Sequence, residues 1–373
     1  MAPTISRDTL PSIVTDGICR YLQKNYRESL CSLSLVNKRC YDISTPYIYR
    51  SICFNISSRA RLRREIEEFN NNCLRQRCLE YTRCIKLVGR MPTAPEDEGQ
   101  WFDVQEEDRL YDFEYDDFIM NNLDARTWLV SKEDLGGNVW SAAWEPLISL
   151  IPRFRYLTDF IYSCTSEYPP YLAQTLHQHH PYCRLDMRKV KFSSLIDSTR
   201  DPDEMELASS PCLHALAIAI SDVQPPRGDL GSDDVLRIMS GLAPNLKKVR
   251  VHQLVAGERP FGHVRKVFVP IAHGPKLGAI TSLSLLNFTF DTEHMELFAL
   301  HTDLGKLQAL AFRPSYNALL KAARERPFPS LERLGISGAI TLDPDPRIGS
   351  GASAFLESLN TLSTLMITDD IVD

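Results

Sequence analysis

The side chains best suited to chemistry by type and spacing are His177-Gln178-His179-His180, with Cys183 close behind. Imidazoles and a thiolate are common zinc ligands. Yet these histidines close a helical pattern, YLAQTLHQHH, and Pro181 marks its end. Histidines in a last turn suit the negative end of the helix dipole, so the expectation is an ordinary helix end and no metal. Cys73, Cys78 and Cys84 are separated by four and five residues with no histidine nearby, looser than the paired spacing of zinc sites. The glycine stretches GDLGS (228–232) and GSGAS (349–353) precede helical blocks and are expected to be helix-entry loops rather than phosphate cradles. None of the motifs G-x-x-x-x-G-K-[ST], H-E-x-x-H or G-x-S-x-G occurs. No pairing of nucleophile and base is visible in the linear chain. The expectation is a protein without catalytic residues, metal or cofactor.

Composition narrows the class. The 373 residues are 43% hydrophobic, enough for a large core and, by length alone, for about two domains. A net charge of −6 argues against a dedicated nucleic-acid binder, which needs a clustered basic excess. The N-terminus MAPTISRDTLP has no apolar run of a signal peptide. No stretch of about 18 uncharged apolar residues occurs, so no membrane span is expected. Ten irregularly spaced cysteines read as reduced thiols of a cytoplasmic or nuclear protein. On the same ground the glycosylation patterns at Asn55 and Asn287 read as chance matches.

These side chains must be positioned by three regions. Residues 8–55 are compact and helix-patterned. After Leu10-Pro11, the residues Ile13, Val14, Ile18, Tyr21 and Leu22 fall on one helical stripe, and Pro11 suits a first turn. Leu30, Leu33, Val36, Cys40 and Ile43 recur at intervals of 3, 3, 4 and 3, which predicts a second apolar stripe. Pro46 is expected to stop that helix, ahead of the β-prone Tyr47-Ile48-Tyr49. Three short helical pieces bury little surface by themselves. Such a unit needs a neighbour, either a protein partner or the rest of the chain, which it would then cap.

The order Leu10-Pro11…Val14…Ile18…Tyr21-Leu22, then Ser29-Leu30…Leu33-Ser34-Leu35-Val36-Asn37-Lys38-Arg39, resembles the F-box family. Pro46-Tyr47-Ile48-Tyr49-Arg50 is similar to the closing segment of fungal members, whereas Ser12 and Cys40-Tyr41 depart from the usual acidic and aromatic residues. The resemblance implies a three-helix module that docks on a Skp-type adaptor, which bridges to a cullin in an SCF-type ubiquitin ligase. It assigns adaptor binding to Leu10, Pro11, Val14, Ile18, Leu30, Leu33, Leu35 and Val36.

Residues 56–135 open with RARLRREIEE, whose Arg61–Glu65, Arg63–Glu67 and Arg64–Glu68 pairs predict a solvated, salt-bridged helix. Residues 96–118 hold eleven acidic residues against Arg109, with six aromatics. They are expected to be a long acidic insertion anchored by its aromatics.

From Trp140 to the end, within an expected domain of residues 136–373, helical blocks alternate with a strand spacing of L-x-x-L-x-L type. It starts at Leu213, Leu246, Ile280, Leu307, Leu331 and Leu362, which are 33, 34, 27, 24 and 31 residues apart. The blocks DDVLRIMSGL, EHMELFALHT, NALLKAARER and SAFLESLN are the intervening helices. This element is similar to leucine-rich repeats and implies an irregular solenoid with a concave strand face. The expected fold is therefore α/β, a small helical module followed by a repeat array. The last strand ends six residues before Asp373, so either the array has a minimal cap or the chain continues. Lys248 and Arg250, Ser282 and Ser284, and Arg333 and Gly335 alternate with the leucines and are the expected exposed positions for an unknown protein target. Lys247, Lys248, Arg250 and His252 form a local basic patch. The competing expectation is a repeat scaffold with no link to ubiquitin.

Overall fold

The structure, a computed structural model, describes residues 12–72, 77–89, 141–164, 168–190, 202–220, 238–253, 278–337 and 353–368. These fall into two units, one ending at Cys183 and one beginning at Arg184. Both are α/β, with helices alternating with parallel strands.

The first unit opens with helices α1 (Ser12–Asn25), α2 (Arg27–Ser34) and α3 (Lys38–Ile48). The stripe expected from Leu30 to Ile43 is split between α2 and α3. Asn37 takes an extended conformation (φ −165°), and its side chain accepts from the Cys40 amide at 2.8 Å. That N-cap starts a new helix where the apolar spacing alone would continue the old one. Pro46 does not stop α3 but lies inside it. Its ring denies a bond only to the Asp42 carbonyl. The Tyr49 amide still closes on Thr45 at 3.1 Å, and the Thr45 hydroxyl donates to the Tyr41 carbonyl at 2.6 Å.

Hydrogen bonds hold this helical trio together and tie it to the start of the sheet. Arg27 donates to the carbonyls of Ile48 (3.3 Å) and Ser51 (2.9 Å). The Thr82 hydroxyl donates to Tyr49 at 3.1 Å, and the Arg83 amide donates to Arg50 at 2.8 Å.

Next come β1 (Ser51–Ile56), α4 (Arg59–Asn72), α5 (Arg77–Tyr81), β2 (Cys84–Gly89), α6 (Ser141–Leu150), β3 (Asp159–Cys164) and α7 (Pro170–His179). β1 pairs parallel with β2, and β2 with β3. The parallel ladder thus begins at Ser51, inside the expected helical region and well before Trp140. In β1 the buried residues Ile52, Phe54 and Ile56 alternate without the repeat spacing. They pack towards α4, where Leu62 and Ile66 are buried and Phe69 meets both Phe54 and Phe154 at centroid distances of 5.9 and 6.0 Å. The Glu65 carboxylate accepts from the Asn55 amide of β1 and from Arg61, both at 2.9 Å. One expected i,i+4 pair therefore also occupies a strand-edge donor. Arg64 and Glu68 approach to 3.9 Å. Gly89 ends β2 at φ +121°, and a Cβ there would stand 2.1 Å from the Ile56 carbonyl oxygen, so only glycine fits.

The second unit contains β4 (Arg184–Val190), α8 (Pro202–Ala208), β5 (Leu213–Ile220), a π-helical turn (Ile238–Leu242), β6 (Lys248–Gln253) and β7 (Ser282–Phe290). It continues with α9 (Thr292–His301), β8 (Ala309–Pro314), α10 (Tyr316–Glu325), β9 (Arg333–Ser337), a helical turn at 353–357 and β10 (Thr364–Thr368). Within it each strand pairs parallel with the next in chain order. All six strands expected from the L-x-x-L-x-L spacing are present.

Register sorts the two strand faces. Leu216, Val249, Leu283, Leu310, Leu334 and Leu365 form one cross-strand row on the apolar face. Helices α9 and α10 match two expected blocks, with N-caps Asp291 and Ser315. Of DDVLRIMSGL, only the part within the π-helical turn falls in the described residues.

Candidate protein-binding surfaces

In α1 the residues facing inward are Thr15 and Cys19, both buried, while Ile13, Val14, Ile18 and Tyr21 are exposed. The helix therefore turns its apolar stripe to solvent and its small and polar side to the neighbouring helices. The interior of the trio is completed by Leu30, Ser44 and Thr45. Burial raises the Cys19 thiol above its ordinary pKa, helped by nearby Asp16, so it stays protonated inside this interior.

Beyond α2, Leu35 is 84% exposed and Val36 67%. The expected adaptor residues therefore divide. Val14, Ile18, Leu35 and Val36 are open, Leu33 is half-buried, and Leu10 and Pro11 lie outside the described residues. Leu30 is the correction: at 0% exposure it is a core residue that holds the trio together. The 3-residue spacing that joins it to Leu33 cannot reveal that α2 ends one residue later.

Beside this face runs an open groove of about 560 Å³, lined among others by Ile13, Asp16, Asp42, Pro46, Tyr47 and Arg50. Tyr47 donates its hydroxyl to Asp16, which also pairs with Arg20 at 3.3 Å. Burial and that hydrogen bond push the Tyr47 phenol up. The apolar face thus borders a small polar cluster that joins α1 to α3. Sequence reasoning missed this pair because Asp16 and Tyr47 are 31 residues apart.

In the second unit the expected target residues do share one strand face. Lys248 stands opposite Ser282, Arg250 opposite Ser284, and Arg333 opposite Ala309. The same rows hold Ala215, Ala217 and Ala311. Ser282 and Ser284 are nevertheless buried, at 2% and 0%, and among the described residues their hydroxyls meet no hydrogen-bond partner. Alternation assigns a side chain to a face but cannot tell whether that face is open. Lys248, Arg250 and Arg333 are half-buried. From the basic patch, Lys247 donates to the Ala279 carbonyl at 3.2 Å.

Among the described residues, no three of His, Cys, Asp and Glu stand together as a metal site. His177 and His179 lie in the last turn of α7, and His180 Nε2 meets the Ile151 carbonyl at 3.0 Å. The cysteines described are free thiols, and no described helix is long and apolar enough to cross a membrane.

One nucleophile–base pair, invisible in the sequence, is present. Ser240 is hydrogen-bonded to His301 Nδ1 across 61 residues. Its surroundings are a structural junction. The Gly278 amide donates to the His301 carbonyl at 3.2 Å, and the Thr302 hydroxyl donates to Gly278 at 2.9 Å. A Cβ on Gly278 would stand 1.6 Å from the Met239 carbonyl oxygen.

No protein-family model matches the chain, and no curated protein matches it. What the residues themselves define is an α/β protein with an outward-facing apolar helix surface.

The acidic segment 96–118, Cys73, and the stretch 228–232 all lie outside the described residues.

Proposed function

We propose that the chain is a substrate-recognition subunit of an SCF-type ubiquitin ligase. In this reading α1–α3 are an F-box that docks on a Skp-type adaptor and through it on a cullin. The strand–helix alternation is a degenerate leucine-rich-repeat solenoid that holds a target protein. No nucleic acid, membrane or cofactor takes part, and the protein works in the cytoplasm or nucleus.

The observation that carries the proposal is the inverted α1. Ile13, Val14, Ile18 and Tyr21 are open while Thr15 and Cys19 are covered. A short helix that spends its polar side on its own interior leaves its hydrophobic energy for a neighbour. A helix face packing on helices of a partner uses that surface, with a few large side chains dominating. The main competing role, an internal cap for the repeats, requires the same stripe to be covered by the chain.

The subunit performs no bond chemistry. It holds a target near a ubiquitin-charged enzyme, which raises effective concentration. Lys248, Arg250 and Arg333 are the strand residues assigned to target contact.

The test is capture of a purified Skp-type adaptor by the full chain, compared with a Leu35→Asp/Val36→Asp double variant. Capture by the native chain and its loss in the variant support the ligase role. No capture by the native chain, or equal capture by both, overturns it and favours a repeat scaffold.

A further inference from the structure

We propose that β10 is a self-association edge, through which two copies of the chain join their sheets antiparallel about a two-fold axis at Met366. The proposal is independent of the ligase role.

β10 pairs with β9 on one side, from Thr364 opposite Arg333 to Thr368 opposite Ser337. Among the described residues no strand pairs with its other side. The Thr364 amide donates towards β9, to the Glu332 carbonyl at 3.0 Å. Backbone groups alternate in direction along a strand, so the amides and carbonyls of Leu365 and Ile367 point away from β9. Their side chains extend the apolar cross-strand rows of Leu334 and Ile336. Those two leading residues are buried at 0% and 1%, whereas Leu365 is 42% exposed and Ile367 50%. The hydrophobic layer therefore continues past its own cover.

What selects a second copy as the occupant is the strand itself. It reads Thr-Leu-Met-Ile-Thr from 364 to 368, the same residue classes in either direction. A two-fold axis at Met366 sets Leu365 opposite Ile367 of the second copy, and Ile367 opposite its Leu365. Both residues carry the outward amide and carbonyl, so each pair exchanges two hydrogen bonds. Both side chains lie on the apolar face, which gives two cross-strand aliphatic pairs. Shifting the register by one residue would set outward-pointing groups against inward-pointing ones and move the aliphatic residues off each other. The symmetric pairing thus satisfies backbone and side chains together, as an isologous contact requires. One short strand buries less than the roughly 1,200 Å² of a standard interface, so the dimer is weak, populated at about 10–100 µM.

The test uses the full chain in sedimentation velocity from about 1 to 100 µM. The expected weight-average mass rises from the 42.4 kDa of the monomer towards twice that value. Leu365→Lys, a charge on a sheet edge, removes the rise. Leu365 is solvent-accessible, so the fold is retained and circular dichroism checks it. A second measurement does not depend on disrupting anything. Met366→Cys sits on the axis in a non-hydrogen-bonded pair with Cα atoms about 4.5 Å apart, within disulfide range. Thr364→Cys stands about 14 Å from its counterpart. Mild oxidation should give several-fold more covalent dimer with Met366→Cys than with Thr364→Cys or the native chain. A mass that stays monomeric at the highest concentration overturns the proposal. So does self-association that Leu365→Lys leaves unchanged, or equal cross-linking by the two cysteine variants.

Discussion

Arg27 of α2 donates to the carbonyl of Ser51, the first residue of β1, at 2.9 Å. A second bond from the same guanidinium reaches the Ile48 carbonyl at the end of α3. One side chain therefore clamps the start of α2 to the point where helix gives way to sheet, and the trio has a fixed orientation with respect to its own strand. Within that arrangement Leu30 faces in and Leu35 faces out.

The two leucines should behave oppositely. Leu30→Ala removes a fully buried side chain from a small interior and should cost about 2–5 kcal/mol. Leu35→Asp changes an exposed residue and should alter stability by less than about 0.5 kcal/mol. Urea denaturation of the two variants checks this. The result also decides how the adaptor experiment is interpreted, because loss of capture by an undestabilised Leu35 variant reports on the surface alone.

Ser284 should be better as alanine. Its hydroxyl is buried with no partner among the described residues, between Arg250 and Ala311 in the strand register. Removing an unpaired buried hydroxyl while keeping the rest of the shape should stabilise the protein by about 1 kcal/mol. Ser284→Ala with an unchanged denaturation slope and a higher midpoint is the expected outcome.

Asp291 should make α9 acid-sensitive. Its carboxylate caps the helix, accepting from the amides of Glu293 (2.9 Å) and His294 (3.0 Å). Burial raises its pKa, but the hydrogen bonds and charge of His294 outweigh burial, and the net shift is downward. A depressed carboxylate pKa contributes stability above the unfolded value, and that contribution is lost as pH falls through the lower folded value. Asp291→Ala should cost about 1 kcal/mol at neutral pH. Asp291→Asn keeps the cap acceptor, so it should retain most of the stability and flatten the loss below about pH 4. Thermal melts across pH 2–7 separate the two variants.

Strands β5–β10 were legible because Leu246, Val249 and Val251, and their counterparts in the other strands, carry both the repeat spacing and the two-residue alternation, whereas β4 was not expected. β1 and β2 were not, because Ile52-Phe54-Ile56 shows alternation alone, next to a sequence that reads as helix. The split between α2 and α3 depends on one Asn side chain outcompeting a continuous stripe, a contest that periodicity does not weigh. For the candidate surface, the sequence places Val14, Ile18 and Val36 on helical stripes, and Leu35 enters only through the family resemblance. Which stripe faces water depends on Thr15 and Cys19 being taken into the interior, a choice made by packing. Ser282 and Ser284 show the same limit, since their face follows from alternation but their burial follows from what covers that face.

His301 supplies a second pH dependence, of the opposite charge type. It lies at the end of α9, and its Nδ1 is hydrogen-bonded to the Ser240 hydroxyl. Burial lowers its pKa below the ordinary histidine value. Above about pH 6.5 the ring is neutral in both folded and unfolded chains. As pH falls below that value, the unfolded chain binds a proton that the folded chain refuses, and stability declines until the folded pKa is reached. The expected result is a loss of stability that sets in as pH falls below roughly 6.5. His301→Gln keeps a hydrogen-bonding group for Ser240 and cannot titrate, so its stability should be flat where that loss sets in. A native chain with no slope there, or a variant with the same slope, would show that the ring titrates as freely in the fold as outside it.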